Sequence, residues 1–212
     1  MSNFLIIDLE MCKEPKGIKR QMLNLSSEII QIGAVLINEK LDIEDTFQSF
    51  VKPQEGIIDK KIQSLTGISP KDISNAPNLE QALKQMTLWM PEDTVVVSWS
   101  DNDLIQLQKE FEAKNLADLD FAKHFESWVD CQKTFSEKMH TEKIYRLSEA
   151  LAITDIFYDE NAHNALIDAQ NTAELFIKME TEEELVLSPY YTSSINDIYD
   201  TSSSLLGSYT YA

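Results

Sequence analysis

The apolar positions in the first quarter of the chain form short runs that predict β-strands. Residues 4–7 are continuously apolar, residues 28–37 form a longer apolar run, and residues 43–51 alternate in part between apolar and polar side chains. Such runs are typical of buried or half-buried strands, and the tight connections favour an antiparallel meander. The polar segment 12–26, with one proline and one glycine, predicts a loop.

Helical spacing of apolar residues dominates the rest of the chain. Leu79, Leu83 and Met86 recur along one helical face, and Pro91 marks the stop. Residues 94–99 are a β-branched run instead, which is typical of a central parallel strand. Three strands followed by alternating helices and strands predict a mixed sheet with helices on both sides. The predicted helices are 59–65, 79–89, a stretch beginning at Asp103, 119–128, 147–152 and 165–179.

Acidic side chains lie at or just beyond the ends of several predicted elements. Asp8 and Glu10 follow the first apolar run, Asp103 follows the 94–99 run, and Asp168 lies in the last helix. Residues 8 and 10 of a strand point to the same face, where two carboxylates repel each other unless cations intervene. Carboxylate oxygens suit Mg²⁺ or Mn²⁺, and four acids suit the two-metal hydrolysis of a phosphodiester. Asp8 and Glu10 alone would also fit a solvated strand end.

A histidine stands five residues before the last of these acids. A spacing of five does not place two side chains on one helical face. His163 and Asp168 can still meet if the histidine lies just before the helix and the aspartate lies within it. With an ordinary pKa of about 6.5, an imidazole in that position suits a general base near neutral pH.

The ordered set of motifs resembles the DEDDh 3′–5′ exonucleases, the DnaQ-like group of the ribonuclease-H-like superfamily. The resemblance covers about Asn3 to Lys178 and implies an α/β fold. That fold is a mixed five-stranded sheet, antiparallel in its first three strands, with helices on both faces. The matching stretches are Asp8-Leu9-Glu10, residues 28–35, 50–53 and 65–69, and His163 to Ala173. Relatives often carry glycines in the stretch that matches residues 151–160, which here has none.

The resemblance also implies the chemistry. The expected metal ligands are Asp8, Glu10, Asp168 and, partly through water, Asp103, with His163 as the base and two Mg²⁺ ions that Mn²⁺ can replace. The expected reaction removes nucleoside 5′-monophosphates from single-stranded 3′ ends of RNA or DNA. Asp101 is the alternative to Asp103, but the family pattern places the acid four positions after Trp99, which selects Asp103.

Substrate contacts are harder to locate. The resemblance implies that Leu9, through its backbone, and Leu65, through its side chain, lie against the terminal nucleotide. Trp99 could stack on a base, although a tryptophan that ends a central strand is more often part of the core. A basic cluster in the predicted loop could contact phosphates or simply be solvated. Its members are Lys13, Lys16, Lys19 and Arg20.

Charge narrows the choice of partner. The 212 residues carry a formal charge of −18, which argues against a binder of long duplexes, since phosphate contacts call for a basic face. Single-stranded 3′ ends and short oligonucleotides are the expected partners, because bound cations would supply positive charge. The acidity also supports an alternative, an exonuclease-like module that binds proteins without nuclease activity.

Composition sets the expected domain organisation and location. Residues 1–180 are the expected exonuclease domain, and residues 181–212 form an acidic, Ser/Thr/Tyr-rich tail without Lys or Arg. No signal peptide and no bilayer-spanning run is evident, so a cytoplasmic location without membrane contact is expected. Cys12 and Cys131 have no metal-ligand spacing and are expected to be buried free thiols.

Overall fold

One five-stranded sheet organises the molecule. The computed structural model describes residues 2–14, 23–157 and 163–191, and the sheet has the order β3-β2-β1-β4-β5. The first three strands pair antiparallel, whereas β4 lies parallel to β1 and β5 parallel to β4. This confirms the predicted fold class. The strands are β1 Asn3–Lys13, β2 Ser27–Ile37, β3 Ile43–Phe50, β4 Thr94–Ser98 and β5 Val129–Asp130.

Six α-helices and one 3₁₀-helix cover the sheet in the described part of the chain. The predicted 119–128 helix is the 3₁₀-helix, Asp120–Ser127. The α-helices are α1 Lys60–Thr66, α2 Leu79–Trp89, α3 Asn102–Lys114, α4 Cys131–Lys138, α5 Leu147–Ile153 and α6 Ala165–Thr181.

Two elements escaped the sequence pattern, and one predicted boundary is wrong. β5 has only two residues, and α4 is mostly polar, so neither gives a periodic signal. The loop predicted over 12–26 starts too early, because β1 continues to Lys13, where it still pairs with Ser27 of β2. Residues 15–22, with three of the four bases of the predicted basic cluster, lie outside the described residues.

The sheet separates two apolar cores. On one face, Leu5 and Ile7 of β1 pack with α2, α3 and the 3₁₀-helix. On the other, Ile6 of β1 packs with α4, α5 and α6. This alternation follows the two-residue period of a strand. It also assigns Asp8 and Glu10 to the face that α6 covers, because they continue the parity of Ile6.

A buried ionic cluster ties α3 to the start of β2. Lys114 Nζ lies 2.9 Å from Glu28 and 2.5 Å from Glu110, and all three side chains are almost fully buried. Glu110 also accepts the Ile29 N–H at 2.6 Å. Burial alone would raise the pKa of Glu28, but the ammonium of Lys114 and backbone N–H groups of residues 54 and 55 hold that pKa below its ordinary value. The cluster fixes α3, which carries Asp103, against the sheet.

The first residues of the predicted tail pack against the domain. Leu185, Leu187 and Tyr191 lie against the core beneath α5 and α6, and the Ser188 N–H donates to the Ile153 carbonyl at 2.7 Å. Residues 192–212 lie outside the described residues, so the predicted boundary at 180 stays a prediction.

Two further expectations concern the thiols and the membrane. Cys12 and Cys131 are free and buried, as predicted. Among the helices that the structure describes, none combines the length and the apolar composition that crossing a bilayer requires.

Candidate active site

The first two acids lie on β1, beside an irregularity in its pairing. Asp8 pairs with Gly33 and Glu10 with Gln31, and the register to β2 shifts between Glu10 and Met11. Bulges of this kind often lie next to active sites, where they redirect side chains. Burial, reinforced by Asp168 and Asp103, raises the pKa of Glu10 to about 7. Burial and the same neighbours raise the pKa of Asp8 well above its ordinary value.

The third acid comes from the helix that follows β4. β1 and β4 are parallel, so their carboxyl ends lie at the same sheet edge, and α3 begins there. Asp103 lies in the first turn of α3 and is only 7% exposed. Burial raises its pKa to about 7, although the backbone N–H of Leu9 donates to its carboxylate and opposes that rise. This contact ties Asp103 to β1 between the first two acids.

Asp101, the alternative to Asp103, points elsewhere. It occupies the N-cap position of α3 but makes no side-chain capping bond, and it is exposed. The electrostatic neighbours of Asp8 are Asp103, Asp168 and Glu10, and they do not include Asp101. The geometry therefore favours Asp103.

The start of α6 supplies the last acid and the histidine. α6 begins at Ala165 after the N-cap Asn164, so His163 precedes the helix and Asp168 lies in its first turn, as the spacing of five predicted. His163 has a φ of 78°, a left-handed conformation that few non-glycine residues adopt. Its backbone N–H donates to the Asp168 carboxylate. This hydrogen bond holds the backbone of His163 next to the Asp168 side chain.

Gly33 allows α6 to approach the sheet. A Cβ atom at Gly33 would lie 2.2 Å from the carbonyl carbon of Ala165 and from the backbone nitrogen of Leu166. Real Cβ atoms do not come so close to backbone, so only glycine fits between β2 and the first turn of α6. Because Gly33 is the strand partner of Asp8, the contact brings Asp168 next to the β1 acids.

Together these elements form a cluster of potential metal ligands. Ligand atoms of Glu10, His163 and Asp168 lie within 4.8 Å of one another. Asp8 and Asp103 interact electrostatically with the same group. Burial, opposed by the N–H and the imidazole of His163, raises the pKa of Asp168 as well. Burial raises the pKa of all four carboxylates, and acidic neighbours raise those of Asp8 and Glu10 further. This arrangement is unfavourable for a protein alone, but it fits divalent cations, which favour the ionised forms.

The choice between Asp103 and Asp101 can be tested by exchanging each for asparagine. Asp103→Asn is expected to lower hydrolysis of an oligonucleotide on the order of a hundredfold, because it removes a charge from the cluster of potential metal ligands. Asp101→Asn makes the same exchange at an exposed carboxylate and is expected to leave the rate within about twofold. Single-turnover rates of the two variants at matched Mn²⁺ concentration measure the difference. Equal losses would contradict the assignment.

The expected substrate residues fall into three environments. Leu65 is 46% exposed on α1, which leaves an apolar surface free. Leu9 turns its side chain into the core, and its N–H is engaged by Asp103. Trp99 packs against Phe135, with ring centroids 6.0 Å apart, and is 8% exposed. For Trp99 the structure favours the core interpretation over base stacking.

Three residues that shape the site were missed in the sequence. Gly33 sets the distance between α6 and the sheet, Gln31 accepts the Ala165 N–H at 3.0 Å, and Asn164 accepts the Leu166 N–H at 3.1 Å. Asn164 was visible as a capping residue type before a helix. The other two lie within an apolar strand and meet α6 from a distant part of the chain, 134 residues away for Gln31 and Ala165, which no local pattern indicates.

Comparison with known proteins identifies the family. The sequence model of the RNase_T exonuclease family matches residues 5–176, which is most of the chain. The chain belongs to this family, the DnaQ-like 3′–5′ exonucleases of the DEDDh type. The nuclease domain of 3′hExo, a DEDDh family member solved with bound rAMP, has a TM-score of 0.73 at 26% identity. That comparison covers 88% of this chain and 96% of the other.

Curated relatives of this family member are named exoribonucleases. Human ERI1 exoribonuclease 2 is 31% identical over 179 residues, covering 73% of this chain and 25% of the relative. Rat 3′–5′ exoribonuclease 1 is 27% identical over 188 residues, covering 82% and 52%. The chain therefore spans a quarter to a half of the length of these relatives. The DEDDh family generally depends on divalent metals, which agrees with the raised carboxylate pKa values.

Proposed function

We propose that this chain is a metal-dependent 3′–5′ exonuclease that releases nucleoside 5′-monophosphates from single-stranded 3′ ends. One observation carries the proposal. Four partly or fully buried carboxylates converge from β1, α3 and α6, their pKa values are raised, and an exposed imidazole lies beside two of them. Such a concentration of like charge is typical of a site that binds cations and a phosphodiester.

Two Mg²⁺ ions are the proposed cofactor, with Mn²⁺ as a substitute. Asp8, Glu10, Asp103 and Asp168 would hold them, since hard cations take carboxylate oxygens and four carboxylates balance two divalent charges. Once bound, such a pair activates a water nucleophile and stabilises charge on the phosphate and on the leaving oxygen. The chain's part is to hold the four acids close together and partly shielded from solvent.

His163 is the proposed general base. Its imidazole is exposed at the mouth of the site, and its backbone is anchored to Asp168 through the N–H contact. A neutral imidazole in that position can accept the proton of the attacking water and release it to solvent.

Single-stranded RNA ends are the proposed substrate, with DNA as a second choice. Relatives of this chain are named exoribonucleases, and the 3′hExo nuclease domain was solved with rAMP. The charge of −18 argues for contact with a few terminal nucleotides rather than with a long duplex. Leu65 offers an exposed apolar surface for the terminal base.

A cytoplasmic location is also proposed, in keeping with two free thiols.

A gel time course tests the activity. The protein is expected to shorten a 5′-labelled single-stranded RNA 20-mer from its 3′ end, and a DNA 20-mer more slowly, with Mg²⁺ or Mn²⁺ but not with EDTA. His163→Ala is expected to lower the rate by about 10²- to 10⁴-fold, the usual contribution of a general base. The ladder and its mononucleotide product measure both effects.

His140→Ala is the matched control. This histidine lies after α4 and has no place in the site, so the variant is expected to degrade RNA at the wild-type rate. Intact oligonucleotides under every metal condition, from folded wild-type protein, would reject the exonuclease and favour the protein-binding module. Hydrolysis of mononucleotides alone would instead point to a phosphatase.

A further inference from the structure

A buried glutamine of the sheet caps the helix that carries Asp168. Gln31 is fully buried on β2, and its Oε1 accepts the Ala165 N–H at 3.0 Å. The first N–H groups of a helix have no partner within the helix and need one from elsewhere. The side chain of Asn164 accepts the Leu166 N–H. Gln31, which lies in the sheet, accepts the preceding N–H of the helix, that of Ala165.

Gln31 lies close to two parts of the site, the β1 acids and the first turn of α6. It is the strand partner of Glu10, so the two side chains lie on the same face of the sheet. Gly33, two residues further along β2, shares that face and lets α6 come close. Gln31 therefore provides the hydrogen bond that holds the first turn of α6 beside the acids, and Gly33 leaves the space for that turn.

A neighbouring strand adds a weaker contact to the same segment. Gln48 of β3 donates from Nε2 to the Asn164 side chain at 3.2 Å, in an exposed position. Residues 164 and 165 are thus held by carboxamides from two adjacent strands. His163 lies one residue before this anchored pair, and Asp168 lies one turn after it.

The hydrogen-bonding groups of the Gln31 side chain suit its role as a cap of α6. Nε2 of Gln31 has no hydrogen-bond partner among the described residues, so its oxygen is the atom in use. A glutamate could accept the same N–H, but it would place a fifth negative charge opposite Glu10. A carboxamide provides the acceptor without that charge.

We propose that Gln31 is a positioning residue for the exonuclease reaction, which fixes His163 and Asp168 by holding the Ala165 N–H. The inference rests on the proposed function. Displacement of reacting groups by about 1 Å can cost on the order of a hundredfold in rate without weakening substrate binding. Loss of Gln31 should therefore lower kcat and leave KM nearly unchanged.

Gln31→Met tests this role, because methionine keeps the length of the side chain and removes the acceptor. We expect kcat on the RNA 20-mer to fall on the order of 30- to 100-fold, with KM within about threefold. Hydrogen exchange measured by mass spectrometry should show faster exchange in the peptide that covers residues 163–171. Gln31→Glu restores the acceptor and is expected to recover the protection and, at saturating Mn²⁺, most of kcat.

Gln81→Met is the matched control. The Gln81 side chain accepts the Asn78 N–H at 3.1 Å at the start of α2, which carries no residue of the site. This variant removes the same kind of cap and is expected to lower stability without changing kcat. If Gln31→Met lost stability like Gln81→Met but kept its kcat, the positioning role would be overturned.

Two outcomes separate this proposal from the proposed function. An inactive wild-type protein would overturn the exonuclease, and the role of Gln31 with it. An active wild type with unaltered kcat in Gln31→Met would overturn the role of Gln31 alone. Should Gln31→Met fail to fold, Gln31→Glu decides the question, because an unaltered kcat despite faster exchange at residues 163–171 would contradict positioning through this bond.

Discussion

Asp8→Asn is expected to abolish hydrolysis and, at the same time, to stabilise the metal-free protein. Hydrolysis should fall on the order of a thousandfold, because the change removes one of the four proposed metal ligands. Without metal, the Asp8 carboxylate is destabilised by burial and by three neighbouring acids. Its removal should therefore raise the free energy of unfolding at pH 8. Urea unfolding in EDTA measures this gain.

The gain in stability should depend on pH. Folding raises the pKa of Asp8, so the folded protein keeps a proton that the unfolded chain releases. Such a group costs nothing below its unfolded pKa, near 4, and destabilises the fold increasingly as the pH rises towards its folded pKa. The difference between Asp8→Asn and wild type should therefore be small at pH 4.5 and grow towards pH 8.

Metal and an exposed aspartate provide the controls for this experiment. Saturating Mn²⁺ should stabilise the wild type and remove the advantage of Asp8→Asn, since the ions bind the folded site. Asp101→Asn should show neither the loss of hydrolysis nor the gain in stability. A metal-free Asp8→Asn protein that is less stable than wild type at pH 8 would show that the acids do not repel one another as the geometry indicates.

Gly33→Ala is expected to damage both the fold and the site. The new methyl group would meet the backbone of Ala165 and Leu166 at 2.2 Å, and backbone cannot rotate away as a side chain can. The first turn of α6 would have to move outward, which should cost about 3 kcal/mol of stability. The same movement carries Asp168 away from Asp8, so hydrolysis should fall on the order of a hundredfold. Urea unfolding and single-turnover rates measure the two effects.

Gly67→Ala is the control for this variant. Gly67 has a φ of 71° at the end of α1, and a Cβ atom there would meet nothing within 4 Å. The substitution should cost about 1 kcal/mol for the left-handed backbone and leave kcat unchanged. If Gly33→Ala destabilised the protein by no more than Gly67→Ala and kept its kcat, the close approach of α6 would not be needed for the site.

The sequence predicted which residues come together in the site better than it predicted the contacts that bring them together. The two-residue period of a strand was enough to place Asp8 and Glu10 on one face, and the spacing from His163 to Asp168 was enough to put the start of a helix between them. Both inferences depend on local geometry. The docking of α6 depends on Gly33 and Gln31, which read as ordinary positions in an apolar strand. Their role is a tertiary contact, and no local pattern encodes it.

The same limit applies to the fold. Runs and periodicities located four strands and most helices, because most of these elements bury an apolar face of sufficient length. β3 is the exception, since its residues are exposed or half-buried. β5 has two residues and is defined by its pairing with β4 rather than by any pattern of its own. The extension of β1 to Lys13 is likewise defined by pairing, since Met11 and Cys12 lie opposite β2 in a stretch that is polar on the whole.

The packing of residues 182–191 bears on how the chain should be shortened. A truncation after Thr181, where the last helix ends and the acidic segment begins, would remove Leu187 and Tyr191 from the core that α5 and α6 share. It would also remove the Ser188 N–H that donates to the Ile153 carbonyl at the end of α5. The Tyr145 hydroxyl would also lose its hydrogen bond to Tyr191. A catalytic fragment free of the remaining tail should therefore end after Tyr191. In this protein, the acidic segment begins before the structural domain is complete.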